Sequence, residues 1–165
     1  MNHSRESIRN FCRLDDRVST GGQPTEGQLA ALAASGVRTV INLALPTSTH
    51  ALPDERAVVT GLGMEYVAIP VVFEAPTGAD FSRFCTEMAA RRDQRLFIHC
   101  ALNCRVSAFV ALHRVLHQGW SRDAAWAALR EIWEPDEVWS RFLEERLSPP
   151  AAALTPPPPA AAANT

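Results

Sequence analysis

The chain has 165 residues, of which 47% are apolar, and a formal net charge of −2. This length is enough for a single globular domain with a sizeable core, which argues against a small fold held together by disulfides. The charged residues are scattered without a long run of one sign, so the sequence predicts no binding to nucleic acid or to an anionic membrane surface.

The N-terminal residues, MNHSRESIRNF, contain no apolar stretch that resembles a signal peptide. No window of the sequence approaches the roughly 18 apolar residues that a membrane-spanning helix requires. The four cysteines are expected to be reduced thiols, because a core of this size does not depend on disulfides; they are Cys12, Cys85, Cys100 and Cys104. We therefore expect a cytoplasmic protein.

Helices and strands alternate along the first two thirds of the chain. Thr25 and Gln28 have the spacing of a capping box, and Gly36 is placed to end the helix that they begin. Short apolar runs at 37–43, 64–72 and 95–99 predict three strands, each preceded by a helix. A further helix is predicted over 105–118, with Gly119 as its stop, and the last third of the domain is predicted to be helical.

This alternation predicts an α/β fold with a central, mainly parallel sheet of four to five strands flanked by helices. Ligands of such folds lie beyond the carboxyl ends of the strands. The predicted domain covers residues 1–148. In the remaining segment, 149–165, thirteen of seventeen residues are Pro or Ala, a composition that predicts a disordered tail.

The segment His99-Cys100-Ala101-Leu102-Asn103-Cys104-Arg105 connects the third predicted strand to the helix that follows it. A cysteine at such a turn meets unpaired backbone N–H groups and the positive end of the helix dipole, which favour a thiolate and bind an oxyanion. Arg105 can offer two parallel hydrogen bonds to a phosphate group. Cys100 is therefore a candidate nucleophile and Arg105 a candidate ligand for the anion.

From residue 13 to residue 145 the sequence resembles bacterial protein-tyrosine-phosphatase-like proteins of the dual-specificity type. The subgroup that it resembles has a Gly-Gln-Pro-Thr segment near its N-terminus. The resemblance depends on segments that occur in order along the chain: Leu14-Asp15-Asp16-Arg17, Gly21-Gly22-Gln23-Pro24-Thr25, Val40-Ile41-Asn42-Leu43, Ile69-Pro70-Val71, His99-Cys100, Arg105-Val106-Ser107 and Trp133-Glu134-Pro135.

The resemblance implies a cysteine-phosphatase-like fold and a phosphocysteine mechanism that uses no metal or other cofactor. It implies that Cys100 is the nucleophile, that His99 tunes the thiolate and that Ser107 supplies a hydroxyl after the loop. The implied phosphate-binding residues are Ala101, Leu102, Asn103, Cys104 and Arg105. The implied partner is a phosphorylated protein or a small phosphate ester. Four residues separate Cys100 from Arg105, whereas the family signature has five.

The family's general acid lies on a loop after the strand that corresponds to 64–72. Glu74 is the first candidate on that loop. Asp80 is expected to be the N-cap of the next helix. Asp54 and Glu55 are lesser candidates for the acid.

The segment around Cys100 allows three other interpretations. An inactive relative would bind a phosphorylated ligand without hydrolysing it. A rhodanese-like sulfurtransferase also has a cysteine in a short loop between a strand and a helix. A zinc site formed by Cys100, Cys104, His113 and His117 is disfavoured, because the histidines lie roughly 12–18 Å beyond the start of the helix. Cys104 is expected to be a packed thiol, with a reversible disulfide to Cys100 as the alternative.

Overall fold

The computed structural model describes residues 4–148. The strands are β1 (Cys12–Arg13), β2 (Val18–Gly21), β3 (Thr39–Asn42), β4 (Glu65–Ala68) and β5 (Leu96–His99). The helices are α1 (Glu26–Ala34), α2 (Glu55–Gly61), α3 (Gly78–Ala90), α4 (Cys104–His117), α5 (Arg122–Arg130) and α6 (Glu137–Leu147). The strands form one sheet in the order β1-β2-β5-β3-β4, in which β1 runs antiparallel to β2 and the other neighbouring pairs are parallel. The predicted α/β class with a mainly parallel sheet is confirmed.

Local sequence signals account for most of these elements. Thr25 and Gln28 form the expected capping box at the start of α1, and Gly36 follows the helix with φ 93°. Strands β1 and β2 are not among the elements that the sequence pattern predicts. They are two and four residues long, and β2 reads Val-Ser-Thr-Gly, which has no clear apolar alternation. They become strands by pairing with each other and with β5.

The parallel strands end at the same level, and this alignment creates the edge on which the site is built. Gly21 and Asn42 both pair with His99, one on each side of β5. Asn42 also pairs with Ala68 on its other side. Four carboxyl ends of strands therefore meet at one edge of the sheet.

Helices cover both faces of the sheet. On one face, Val40 and Phe97 pack in a cluster with Leu29 and Leu32 of α1 and with Val59 of α2. On the other face, the larger cluster joins the sheet to α3, α4, α5 and α6. Helix α4 is the centre of this second layer, with eight of its side chains buried. Its N-terminus is thereby held rigidly beside the end of β5.

No helix within residues 4–148 is long and apolar enough to cross a membrane. The predicted tail, 149–165, lies outside the described residues, so the division of the chain into a domain of 1–148 and a tail stays a prediction.

Candidate active site

Cys100 directly follows β5, and α4 begins four residues later at Cys104. The Cys100 side chain is buried, and its backbone N–H donates to the carbonyl of Gly21 at 3.4 Å. The first N–H groups of α4 have no carbonyl partner one turn earlier in the helix, because the helix starts there. The loop between Cys100 and Cys104 is thus bounded by a buried thiol and by the donor end of a 14-residue helix.

The loop reverses direction at Asn103, which has left-handed backbone angles (φ 68°, ψ 5°) and a fully buried side chain. Its Nδ2 donates to the carbonyl of Asn10 at 2.9 Å and to the hydroxyl of Thr20 at 3.0 Å. In return, Nδ2 of Asn10 donates to the carbonyl of Leu102 at 2.8 Å. Asn103 therefore supplies the left-handed turn for which a glycine is the usual residue, and it anchors that turn to the N-terminal segment.

The Gly-Gln-Pro-Thr segment lies against the opposite side of the loop. The backbone N–H of Gln23 donates to the carbonyl of Ala101 at 3.0 Å. A Cβ atom on Gly22 would be 2.7 Å from the same carbonyl oxygen, so only glycine fits at this position without a shift of the backbone. This segment, which carries part of the family resemblance, contacts Ala101 directly.

Arg105 lies in the first turn of α4 and is only 6% exposed. Its Nη1 donates to the carbonyl of Val71 at 2.9 Å, and its guanidinium carbon lies 5.8 Å from the ring centroid of Phe73. Among the described residues, Nε of Arg105 has no hydrogen-bond partner and no carboxylate forms an ion pair with this guanidinium. A buried charge without a counterion is costly unless an anion joins it. Arg105 therefore stays a candidate ligand for an anion, now with a buried and incompletely hydrogen-bonded guanidinium.

His99 is fully buried and has an oxygen acceptor at each ring nitrogen. Its Nε2 lies 2.6 Å from Oε1 of Glu55, and its Nδ1 lies 3.2 Å from the carbonyl oxygen of Cys100. Burial would raise the pKa of Glu55, but the hydrogen bond and charge of His99, with a further hydrogen bond from Gln23, hold that pKa below its usual value. Glu55 is thus a charged group behind the loop, and its position makes it a partner of His99.

Ser107 and Cys104 lie on the α4 side of the loop. The Ser107 hydroxyl donates to the carbonyl of Cys104 at 2.9 Å and accepts from Nε1 of Trp133 at 3.2 Å. Burial, with a smaller contribution from Cys100, raises the pKa of the Cys104 thiol to about 11. Cys104 is accordingly a protonated thiol at neutral pH, and all four cysteines are free.

Glu74 lies on the loop between β4 and α3, one residue after the Phe73 ring that packs beside Arg105. Its side chain is exposed and, among the described residues, has no hydrogen-bond or ion-pair partner. The expectation that Asp80 caps α3 is wrong. Thr77 is the N-cap, and Asp80 is the third helical residue, whose carboxylate completes a capping box with Thr77.

Sequence reasoning did not assign functional roles to Gln23, Asn10 or Gly22, and it considered Glu55 only as a lesser candidate for the acid. Their contacts depend on segments more than 30 residues apart in the sequence. The signal that could have found Gln23 was the Gly-Gln-Pro-Thr segment itself.

No group of three or more His, Cys, Asp or Glu side chains within residues 4–148 is placed to hold a metal ion. His113 and His117 lie side by side on α4, with ring centroids 5.1 Å apart.

A family model described as "DSP-PTPase phosphatase fused to NAD+ Kinase" matches residues 3–137. Two curated relatives, from Xylella fastidiosa (strain Temecula1) and Agrobacterium fabrum, share the name "Beta-lactamase hydrolase-like protein". They are 27% and 28% identical over 113 and 107 residues, which cover 67% and 63% of this chain. The matched regions are 26% and 25% of those proteins, so the chain spans about a quarter of their length.

Three solved structures have the same fold. The "Putative phosphatase (DUF442)" from Shewanella putrefaciens CN-32 is 30% identical, with a TM-score of 0.76 over 86% of this chain and 93% of the other. TpbA from P. aeruginosa in complex with pTyr is 22% identical, with a TM-score of 0.64 over 82% and 81%. PTPMT1 in complex with PI(5)P is 21% identical, with a TM-score of 0.71 over 82% and 93%. The last two likenesses support the fold alone.

Proposed function

The chain belongs to the DSP-PTPase phosphatase family, and from this membership we propose that it hydrolyses a phosphate monoester through Cys100 and Arg105. The observation that carries the proposal is the buried Arg105 guanidinium, which has an open Nε and no carboxylate partner among the described residues. It lies at the start of α4, five positions after the buried cysteine that directly follows β5. An anion with several oxygens would satisfy both the guanidinium and the helix N-terminus.

In the proposed first step, the Cys100 thiolate attacks phosphorus, a sulfur–phosphorus bond forms and the bond from phosphorus to the ester oxygen breaks. The backbone N–H groups of Ala101, Leu102, Asn103 and Cys104 and the guanidinium of Arg105 bind the phosphoryl oxygens, where negative charge is concentrated. In the second step, water attacks phosphorus, the sulfur–phosphorus bond breaks, and inorganic phosphate leaves with the thiolate restored.

The departing ester oxygen needs a proton, and Glu74 is our proposed donor. Its loop is joined to the site because Arg105 bonds the Val71 carbonyl and packs beside Phe73. Glu74 is exposed, which suits a residue that contacts the part of the substrate outside the pocket. His99 supports the loop next to Cys100, and Ser107 supports it from α4.

The proposed substrate is a phosphorylated protein or a small phosphate ester. Two of the structures with this fold contain pTyr and PI(5)P, and each of these ligands carries a phosphate monoester group. The exposed Leu102 side chain gives the loop an apolar surface for the group that carries the phosphate. We propose that this phosphatase is a bacterial, cytoplasmic protein, since its free cysteines fit a reducing compartment.

The proposal is tested with the rate of hydrolysis of p-nitrophenyl phosphate. We expect Cys100→Ser and Arg105→Ala each to lower kcat/KM by about a thousandfold or more, because nucleophile and anion ligand act on the same transition state. Cys85→Ser and Arg92→Ala are matched controls on and after α3, and they should retain the wild-type rate. Arg92 is largely exposed.

Two results would overturn the proposal. Phosphate that binds to a wild-type protein with no measurable hydrolysis would make the chain a phosphate-recognition module. A persulfide on Cys100 after incubation with thiosulfate, without phosphatase activity, would make it a sulfurtransferase.

A further inference from the structure

The carbonyl groups of Cys100 and Ala101 are hydrogen-bonded by residues that lie outside the loop. The carbonyl of Cys100 lies 3.2 Å from Nδ1 of His99. The carbonyl of Ala101 accepts the backbone N–H of Gln23 at 3.0 Å. Each contact holds one peptide plane of the proposed phosphate-binding loop.

Holding a carbonyl also fixes the direction of the N–H in the same peptide group, because a planar trans peptide points the two in opposite directions. The Cys100 carbonyl shares its peptide group with the N–H of Ala101, and the Ala101 carbonyl shares its group with the N–H of Leu102. Nδ2 of Asn10 holds the Leu102 carbonyl in the same way. The N–H groups of Ala101, Leu102 and Asn103 are therefore each oriented by a hydrogen bond to the carbonyl of the same peptide group.

The His99 ring is itself held by Glu55, on the side away from the loop carbonyl. Oε1 of Glu55 lies 2.6 Å from Nε2 of His99, and Oε2 of Glu55 accepts from Nε2 of Gln23 at 2.8 Å. Gln23 is the same residue whose backbone holds Ala101. The hydrogen bonds therefore close a circuit from Gln23 through Glu55 and His99 to the loop and back to Gln23, which we call the Glu55 circuit.

The burial of this circuit suggests a role beyond packing. Glu55 is 6% exposed and His99 is fully buried. Buried ion pairs contribute little net stability compared with apolar residues of similar volume, because desolvation offsets their attraction. Glu55 is also not needed to cap α2, since Asp54 already accepts the N–H of Ala57 at 3.0 Å. The ring of Phe97 stacks on that of His99, with the ring centroids 5.7 Å apart.

We propose that Glu55 and Gln23 are positioning residues that orient the His99 ring and, through it, the amide donors that receive the phosphoryl oxygens. Neither residue is required to touch the substrate. The inference rests on the proposed function, because it assigns the loop amides to the anion. It also gives the Gly-Gln-Pro-Thr segment a role, since Gln23 bonds both the loop and Glu55.

The test compares Glu55→Gln with Glu26→Gln. Each glutamate is the first residue of its helix, so both substitutions remove the same charge from a helix N-terminus, but Glu26 is exposed. We measure the concentration of inorganic phosphate that halves the rate at which iodoacetamide alkylates Cys100 at pH 7. Trypsin releases residues 96–105 as one peptide, and its fragment ions separate Cys100 from Cys104.

We expect Glu55→Gln to raise that phosphate concentration about tenfold, as for the loss of one charge-assisted contact. It should also lower kcat for p-nitrophenyl phosphate by about tenfold or more, because the amides must match the transition state. Glu26→Gln should change both values by less than about twofold. Glu55→Gln with wild-type phosphate protection and wild-type kcat, at a lowered melting temperature, would show a purely structural role and overturn the inference.

A double variant, Gln23→Glu with Glu55→Gln, exchanges donor and acceptor within the circuit. It keeps a carboxylate paired with an amide between positions 23 and 55, whereas the single Glu55→Gln variant pairs two neutral amides. We expect at least a partial recovery of phosphate protection. If Glu55→Gln fails to fold, Gln23→Ala decides, because it removes the side-chain bond to Glu55. Wild-type phosphate protection of Cys100 in a folded Gln23→Ala variant would refute the circuit.

The phosphate measurement does not require turnover. A wild type that is protected by phosphate but hydrolyses nothing would refute the proposed function and still test the Glu55 circuit. Equal protection in wild type and a folded Glu55→Gln variant would refute the circuit whatever the activity.

Discussion

Asn103 allows a quantitative test of how the loop is built. Its left-handed backbone favours glycine, while its side chain makes two hydrogen bonds that glycine cannot make. Asn103→Ala loses both bonds and keeps the left-handed strain. Asn103→Gly loses the same bonds and relieves that strain.

The expected loss of stability follows from these terms. Two neutral hydrogen bonds contribute about 2 kcal/mol together, and leaving the Thr20 hydroxyl, which is 2% exposed, without its partner costs about 1 kcal/mol more. Left-handed backbone costs alanine about 1 kcal/mol more than glycine after the greater chain entropy of glycine is included. We expect Asn103→Ala to lower the free energy of unfolding by about 3 kcal/mol and Asn103→Gly by about 2 kcal/mol.

Equilibrium unfolding in urea, followed by tryptophan fluorescence, measures both values. His50 supplies the control, because it is exposed and also has a positive φ, of 64°. His50→Ala and His50→Gly should show the same gap of about 1 kcal/mol without the larger common loss. Equal stability of the two Asn103 variants, or an alanine variant more stable than the glycine variant, would refute the reasoning.

Three further predictions concern the surroundings of the loop. Gly22→Ala should lower the free energy of unfolding by about 2 kcal/mol, because the new Cβ meets the Ala101 carbonyl at 2.7 Å; Gly61→Ala, in open space, should be neutral or stabilising, and urea unfolding decides. Arg105→Lys should lower kcat/KM for p-nitrophenyl phosphate by about a hundredfold, because an ammonium group lacks the planar fork of donors; steady-state kinetics that match wild type would contradict this. The Cys104 thiolate is about one part in a thousand at pH 8 for a pKa of about 11, so its alkylation by iodoacetamide, read by mass spectrometry, should rise about tenfold per pH unit from 8 to 10.

The elements that sequence alone predicts well are those with local causes. The capping box of Thr25 and Gln28 and the stop at Gly36 act within a few residues, and the structure has both. Strand β2 has no such local signal and depends on its register with β5. Asp80 shows how two roles can share one pattern, since a carboxylate near a helix start can be the N-cap or the third residue of a capping box.

The same distinction between local and tertiary causes holds for the candidate site. A cysteine between a strand and a helix is visible in the sequence, because both elements have periodic apolar patterns. The pairing of Glu55 with His99 spans 44 residues and arises only when α2 is placed beside the end of β5. The reciprocal contacts of Asn10 and Asn103 span more than 90 residues. No local pattern predicts contacts that the tertiary fold creates.

The contacts of Arg105 show which residues hold its side chain at this spacing from Cys100. Moving a residue by one position along a helix turns its side chain by about 100°. An arginine one position closer to the cysteine than in the family signature therefore points in a different direction and needs different contacts. Arg105 finds them at the carbonyl of Val71 and beside the ring of Phe73, both on the loop that also carries Glu74. These contacts join the guanidinium to the loop of the proposed acid. Substitution of Arg105 should therefore affect both anion binding and the placement of Glu74, whereas substitution of Glu74 should leave anion binding intact.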